Sequence, residues 1–187
     1  MSIVDLVDSQ IIASIKNYKD IDQAIKKQPN VSFLLTGDLL TMGSYIQKLK
    51  DHDMRVFIHL DFIDGVSNSK TSVEYIAKNW NPDGIITTKN NIVRYAKDVG
   101  LYTIQRIFLI DENAIKSGVQ VIRNNTPDAI EVMPGLMPKI IDRLTYEVKL
   151  PIFVGGLISS KEEILDALAV GALGVSASNS SLWELDL

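Results

Sequence analysis

Short apolar runs recur along the chain, each followed by a small or polar segment and then by apolar positions at helical spacing. The runs are Ile11–Ile15, Val31–Leu35, Val56–Leu60, Gly84–Thr87, Tyr102–Phe108, Ala129–Met133, Pro151–Val154 and Gly174–Ala177. Between them, Met137, Ile140, Ile141 and Leu144 fall at i, i+3, i+4 and i+7, and Ile164, Leu165 and Leu168 give a similar signal before Gly171. Such spacing lays an apolar stripe along one face of a helix. Thr71 with Glu74 and Ser160 with Glu163 both fit the capping box, so each pair predicts a helix start. Strand and helix alternating without interruption predict a parallel sheet covered by helices.

Eight such units make an α/β fold, a compact (β/α)8 TIM-type barrel with short loops, expected to be a single domain over residues 1–187. An open doubly wound sheet would need a glycine-rich turn after the first strand. The segment there is Asn17-Tyr18-Lys19-Asp20, without glycine. Asn81-Pro82-Asp83-Gly84 and Thr126-Pro127-Asp128-Ala129 echo one another two units apart, as repeated βα units would.

Composition narrows the chemistry. Apolar residues at 46% and charged residues at 22% are a globular balance. The chain has no cysteine, and its two histidines are His52 and His59, which excludes disulfides, thiolate metal sites and an imidazole-rich metal site. No apolar run approaches the roughly 20 residues of a membrane span, and the start lacks the pattern of a secretory signal. A cytoplasmic protein is expected. The net charge of −4 opposes indiscriminate nucleic-acid binding, so any RNA site must be confined and specific.

In a barrel of this kind, ligand groups come from the C-terminal ends of the strands, and phosphates are held after the seventh and eighth. Here those ends carry Gly155-Gly156 and Ser176-Ala177-Ser178. Residues with little side chain let the backbone approach an anion, and Ser178-Asn179-Ser180-Ser181 can open a short helix with free amides. The same residues also fit a tight strand-to-helix turn and a capped terminal helix. Phe57, His59 and Asp61 share one face of the third strand. Asp61 either accepts from ligand hydroxyls or caps a helix, and His59 reads as a hydrogen-bonded core residue. Lys89, just past the fourth strand, offers a point charge to a phosphate or is simply solvated.

The fifth run places Gln105 and Arg106 side by side in apolar surroundings, where burial without partners is costly. Arg106 can clamp a phosphate or carboxylate, or pair with Glu131 or Asp61. Glu131 is an isolated charge in the sixth run, and Pro134 and Gly135 turn the chain after it. The expected ligand set is therefore Gly155, Gly156, Ser176, Ala177, Ser178, Arg106, Lys89, Glu131, Gly135, Asp61 and Gln105, with no catalytic or metal residue assigned. Trp183 belongs either to an oligomer interface or under the last helix of its own barrel.

Several segments resemble one family. They are Phe33-Leu-Leu-Thr-Gly37, Pro82-Asp-Gly-Ile-Ile86 with Thr88-Lys89, Thr103-Ile-Gln-Arg-Ile-Phe-Leu-Ile-Asp111, Glu131-Val-Met-Pro-Gly-Leu-Met-Pro138, Gly155-Gly-Leu-Ile158, and Val175-Ser-Ala-Ser-Asn179 with Leu182-Trp183. From residue 10 to the end the chain is similar to the glycerol uptake operon antiterminator regulatory proteins, the GlpP family. The resemblance implies a bacterial cytoplasmic regulator rather than an enzyme, needing no cofactor. Its effector would be glycerol 3-phosphate, and its partner the leader mRNA of glycerol-utilisation genes, whose premature termination it prevents. Glu131 and Asp61 would then accept from the ligand's hydroxyls. The alternative is a small phosphosugar isomerase, lyase or synthase on the same scaffold. Against it, the lysines flank the strands instead of lying in them. Lys26, Lys27, Lys48, Lys50, Arg94 and Lys97 are scattered, and no RNA-recognition signature is present.

Overall fold

A computed structural model describes residues 2–185 and Leu187. Its strands are β1 (Ile11–Ile15), β2 (Val31–Leu34), β3 (Arg55–His59), β4 (Gly84–Thr87), β5 (Tyr102–Phe108), β6 (Ala129–Met133), β7 (Ile152–Gly155) and β8 (Gly174–Ala177). Each pairs in parallel with the next, and β8 closes on β1. The helices between them are α1 (Lys19–Lys27), α2 (Met42–Lys50), α3 (Lys70–Asn79), α4 (Asn90–Asp98), α5 (Glu112–Asn125), α6 (Pro138–Glu147) and α7 (Lys161–Ala169). The chain is a compact (β/α)8 TIM barrel. After β8 the expected last helix is reduced to a single 3-10 turn, Ser180–Leu182. Trp183 follows it, buried, and donates its indole N–H to the Ala177 carbonyl at 2.7 Å. It therefore packs against its own barrel.

The strands read as continuous apolar runs because both of their faces are covered. Inside the barrel, Ile12, Val31, Phe33, Phe57, Ile86, Ile104 and Phe153 fill the lower layers, and Ile3 and Leu6 beside the N-terminal 3-10 turn close that end. Phe33 meets Phe57 and Phe153 edge-on at centroid distances of 6.0 and 5.8 Å. Such pairs add about 0.5–1.5 kcal/mol each beyond area burial. Outside the barrel, Leu34, Ile58, Ile85, Val132 and Val154 pack against Ile46, Ile76, Ile92, Ile141 and Ile164 in the second apolar layer.

The echoed Pro-Asp segments perform one task twice. Asn81 and Thr126 take left-handed conformations, φ 48° and 46°, and turn the chain toward the next strand. Asp83 then accepts from the Val56 amide at 2.8 Å, and Asp128 from the Thr103 amide at 2.8 Å. Each carboxylate ties the start of its strand to the strand before it.

The capping box at Ser160 and Glu163 is formed, with hydroxyl and carboxylate each accepting from the other's backbone amide. The one expected at Thr71 and Glu74 is not. Ser69, in extended conformation, accepts from the Ser72 amide at 3.2 Å, so the helix begins earlier and Thr71 lies within its first turn. Ser160→Ala and Ser69→Ala are each expected to cost about 1 kcal/mol, and Thr71→Ala less than about 0.5 kcal/mol, in urea denaturation.

Candidate functional site

Side chains alternate across a strand, and this parity decides which residues look into the barrel. Above the apolar layers, the inward positions are Ser14 on β1, His59 on β3, Arg106 on β5, Glu131 on β6, Gly155 on β7 and Ser176 on β8. All are buried. Arg106 and Glu131 are register partners on adjacent strands. The Arg106 Nε–H donates to Glu131 Oε2 at 2.8 Å, and the Ser176 hydroxyl donates to Glu131 Oε1 at 2.8 Å. Both carboxylate oxygens are thereby engaged, and of the two carboxylates offered to Arg106, Glu131 is the one it pairs with.

Gly155 serves this pair. A Cβ at that position would collide with the Ser176 hydroxyl and crowd Glu131 Oε1. Its value lies in the space it leaves for the carboxylate rather than in a turn of the backbone. Gly156 is different: its φ of +80° lets the chain turn upward, and its carbonyl accepts from the Gly135 amide at 3.3 Å. Gly135 thereby brings the loop after β6, with its cis Met133–Pro134 bond, against the loop after β7.

Over the polar layer a cleft of about 690 Å³ opens at the C-terminal end of the barrel. Its polar lining is Ser14, Lys16, Arg106, Gly156, Ser176 and Ser178, and its apolar walls include Leu35, Phe62, Phe108, Met133 and Leu157. That size and this mixture suit a small molecule held by a few placed polar groups. Among the described residues, the backbone amides of Ser178 and Asn179 make no hydrogen bond, and Lys16 makes no ion pair. The Ser181 amide, by contrast, is capped by the Asn179 side chain at 3.1 Å.

Of the expected set, Gly156, Ser176, Ala177, Ser178 and Arg106 line the cleft. Glu131, Gly155 and Gly135 stand behind them as support. Asp61 faces the β4–α4 connection: it accepts from the Thr87 hydroxyl at 3.1 Å and from the Thr88 amide and hydroxyl at 3.0 and 2.7 Å. Burial opposes its ionisation, and these hydrogen bonds outweigh the burial, holding the carboxyl below its ordinary range. Lys89 sits 3.9 Å from it, partly exposed. Gln105 points to the outer face, where its amide donates to Asn90 at 2.9 Å and accepts from Asn125 at 3.1 Å, because parity puts it opposite Arg106.

Lys16, Leu35, Phe62, Phe108 and Met133 were missing from the set. Period-two parity with Ser14, Phe33, Arg106 and Glu131 marks four of them, whereas nothing in the sequence marks Phe62. His59 is buried as expected, but its expected hydrogen bond is absent: neither ring nitrogen has a partner among the described residues. Burial, reinforced by the Arg106 charge, pushes its pKa down to about 3.

The model of the family described as glycerol-3-phosphate responsive antiterminator matches residues 11–183. The chain belongs to that family. A crystal structure of a glycerol uptake operon antiterminator regulatory protein from Listeria monocytogenes (strain 4b F2365) superposes with a TM-score of 0.92 at 30% identity, covering 96% of this chain and 97% of that one. A glycerol uptake operon antiterminator-related protein from Thermotoga maritima MSB8 gives 0.85 at 29%, covering 95% and 99%. An uncharacterized protein of Escherichia coli (strain K12), YgcP, is 28% identical over 180 residues, 96% of this chain and 94% of its own. Membership places this antiterminator-family barrel among the glycerol-uptake regulators.

Two outcomes follow for the polar layer of this family member. Arg106→Met and Glu131→Gln should each cost about 3–5 kcal/mol, since either leaves a buried group unmatched, and the double variant should cost clearly less than their sum. Additive losses in urea denaturation would show the pair to be uncoupled. Between the ordinary imidazole value of 6.5 and about 3, the unfolded chain binds a proton that folded His59 refuses, so stability falls as pH drops through that window. The lowered Asp61 adds a loss at lower pH, as the carboxyl is protonated. His59→Phe should flatten the upper part of the profile, between about pH 6.5 and pH 5, where carboxylates contribute little.

Proposed function

We propose that this protein senses glycerol 3-phosphate in the cleft, and that occupancy governs its action on the leader mRNA of glycerol-utilisation genes. One observation carries the reading: in a chain of this family, Lys16, the unbonded Ser178 amide and the small residue Gly156 meet on a single cleft. A phosphate held there gains charge-assisted hydrogen bonds, which are roughly twice as strong as neutral ones. Its two free hydroxyls would then extend toward Ser176 and Arg106 on the floor.

The role is that of a sensor without turnover. Glu131, the buried carboxylate at the floor, has both oxygens committed to Arg106 and Ser176, which suits a fixed binding frame better than proton transfer. A regulator of nascent leader mRNA works in the cytoplasm, and with a net charge of −4 its RNA contact must be local and shape-specific.

Calorimetric titration with glycerol 3-phosphate beside free glycerol tests the ligand. Binding of the phosphate ester alone is expected, and equally weak binding of both would remove the assignment. Lys16→Ala should weaken glycerol 3-phosphate binding about tenfold, or 1.4 kcal/mol, without unfolding the barrel. Leader mRNA should be retarded in a gel to different extents with and without ligand; identical retardation would remove the switch. Turnover of a triose phosphate that disappears in Glu131→Gln would establish an enzyme instead.

A further inference from the structure

Among the described residues, three buried side-chain nitrogen or oxygen atoms have no hydrogen-bond partner: Nδ1 and Nε2 of His59 and Nη2 of Arg106. No other described residue has such an atom, so the deficit is concentrated in one polar layer, directly beneath the cleft. His59 is 1% exposed and Arg106 5%. A buried polar group without a partner is unfavourable, and native structures keep few of them. Two residues on β3 and β5 share the cost here, which marks a layer built to be completed by something else.

The chemistry of the missing partner is set by the atoms left over. A neutral imidazole offers one donor and one acceptor, and the guanidinium nitrogen offers donors alone. A hydroxyl both donates and accepts, so it can accept from Arg106 and donate to the bare imidazole nitrogen. The two ring nitrogens point too far apart for neighbouring hydroxyls to reach both, so a second hydroxyl on the neighbouring carbon accepts from Arg106 while the first meets one ring nitrogen. Neither an alkyl chain nor a second phosphate matches this set. The ring of Phe62 lies against His59 at a centroid distance of 4.5 Å, is 54% exposed, and forms part of the cleft wall. Phe62 therefore borders both the imidazole and the cleft.

We propose that His59 and Arg106 Nη2 form a hydroxyl-reading subsite at the floor of the cleft, bordered by Phe62, which selects a vicinal diol over an unsubstituted alkyl phosphate. The subsite rests on the reading of the cleft as the site of a phosphorylated polyol, and it adds the element that distinguishes the polyol from the phosphate. His59 is in this scheme a specificity-determining residue.

The test is calorimetric titration of the full chain and of His59→Phe with glycerol 3-phosphate, n-propyl phosphate and inorganic phosphate. The wild type should bind glycerol 3-phosphate at least about tenfold more tightly than n-propyl phosphate. His59→Phe should bring that ratio close to one while leaving n-propyl phosphate affinity within about twofold. A ratio that survives the substitution, or equal weakening for both esters, overturns the subsite. Wild-type protein that binds both esters alike overturns it too, while leaving the phosphate site standing. Wild-type protein that binds none of the three removes the proposed function and the subsite together. In the unmodified protein, the imidazole nitrogen resonances of His59 should shift with glycerol 3-phosphate and stay in place with n-propyl phosphate. An imidazole unmoved by glycerol 3-phosphate overturns the proposal even if His59→Phe fails to fold.

Discussion

A charge inside a closed barrel must be matched by the barrel itself, and the Arg106–Glu131 pair is how this one meets that constraint. With side-chain exposures of 4% and 0%, the two groups have little water to turn to. Their strands are adjacent and in register, so the bond forms wherever β5 and β6 pair correctly. Ser176 satisfies the second carboxylate oxygen from the far side of β7, and Gly155 on β7 is small enough to let it reach. Four consecutive strands are therefore committed to a single carboxylate. A pair of this kind adds little net stability over an apolar replacement, but removing one member is expensive. Its use here is to fix geometry at the floor of the cleft.

The two ends of the barrel divide the labour. At the N-terminal end, Ile3 and Leu6 close the interior, and Asp83 and Asp128 tie strand starts to their neighbours. At the other end, the backbone amides of Ser178 and Asn179 after β8 make no hydrogen bond among the described residues, and the polar layer beneath retains unmet hydrogen-bonding atoms. Stability is thus concentrated away from the cleft, and the unsatisfied polar groups are concentrated below it. This is the distribution expected when the fold is a scaffold and the binding surface is assembled from loops. For a family of regulators, it means that a ligand can complete interactions which the chain alone leaves open.

All eight strands were legible in the sequence, with ends displaced by no more than a residue, because an apolar run ended by small or polar residues is a local signal. The capping box at Ser160 was legible for the same reason. The one at Thr71 was misread because three serines lie nearby, and which hydroxyl caps depends on the backbone conformation at Ser69, extended at φ −122° and ψ 159°. The cleft was readable in outline: Gly156, Ser176, Ser178 and Arg106 follow from strand parity and from their place in the last units. Parity applied strictly would also have sent Gln105 outward and brought Phe108 and Met133 in.

The sequence by itself determined the fold class, the number of strands and the end of the barrel that carries the site, because periods of two and of 3.6 residues are written along the chain. Only the tertiary structure decided that Glu131 answers both Arg106 and Ser176, that Asp61 turns to Thr87 and Thr88, and that His59 is left without a partner. Each of those outcomes depends on the register between segments as much as 45 residues apart, and on how much room remains once the barrel has closed. No local pattern records that room.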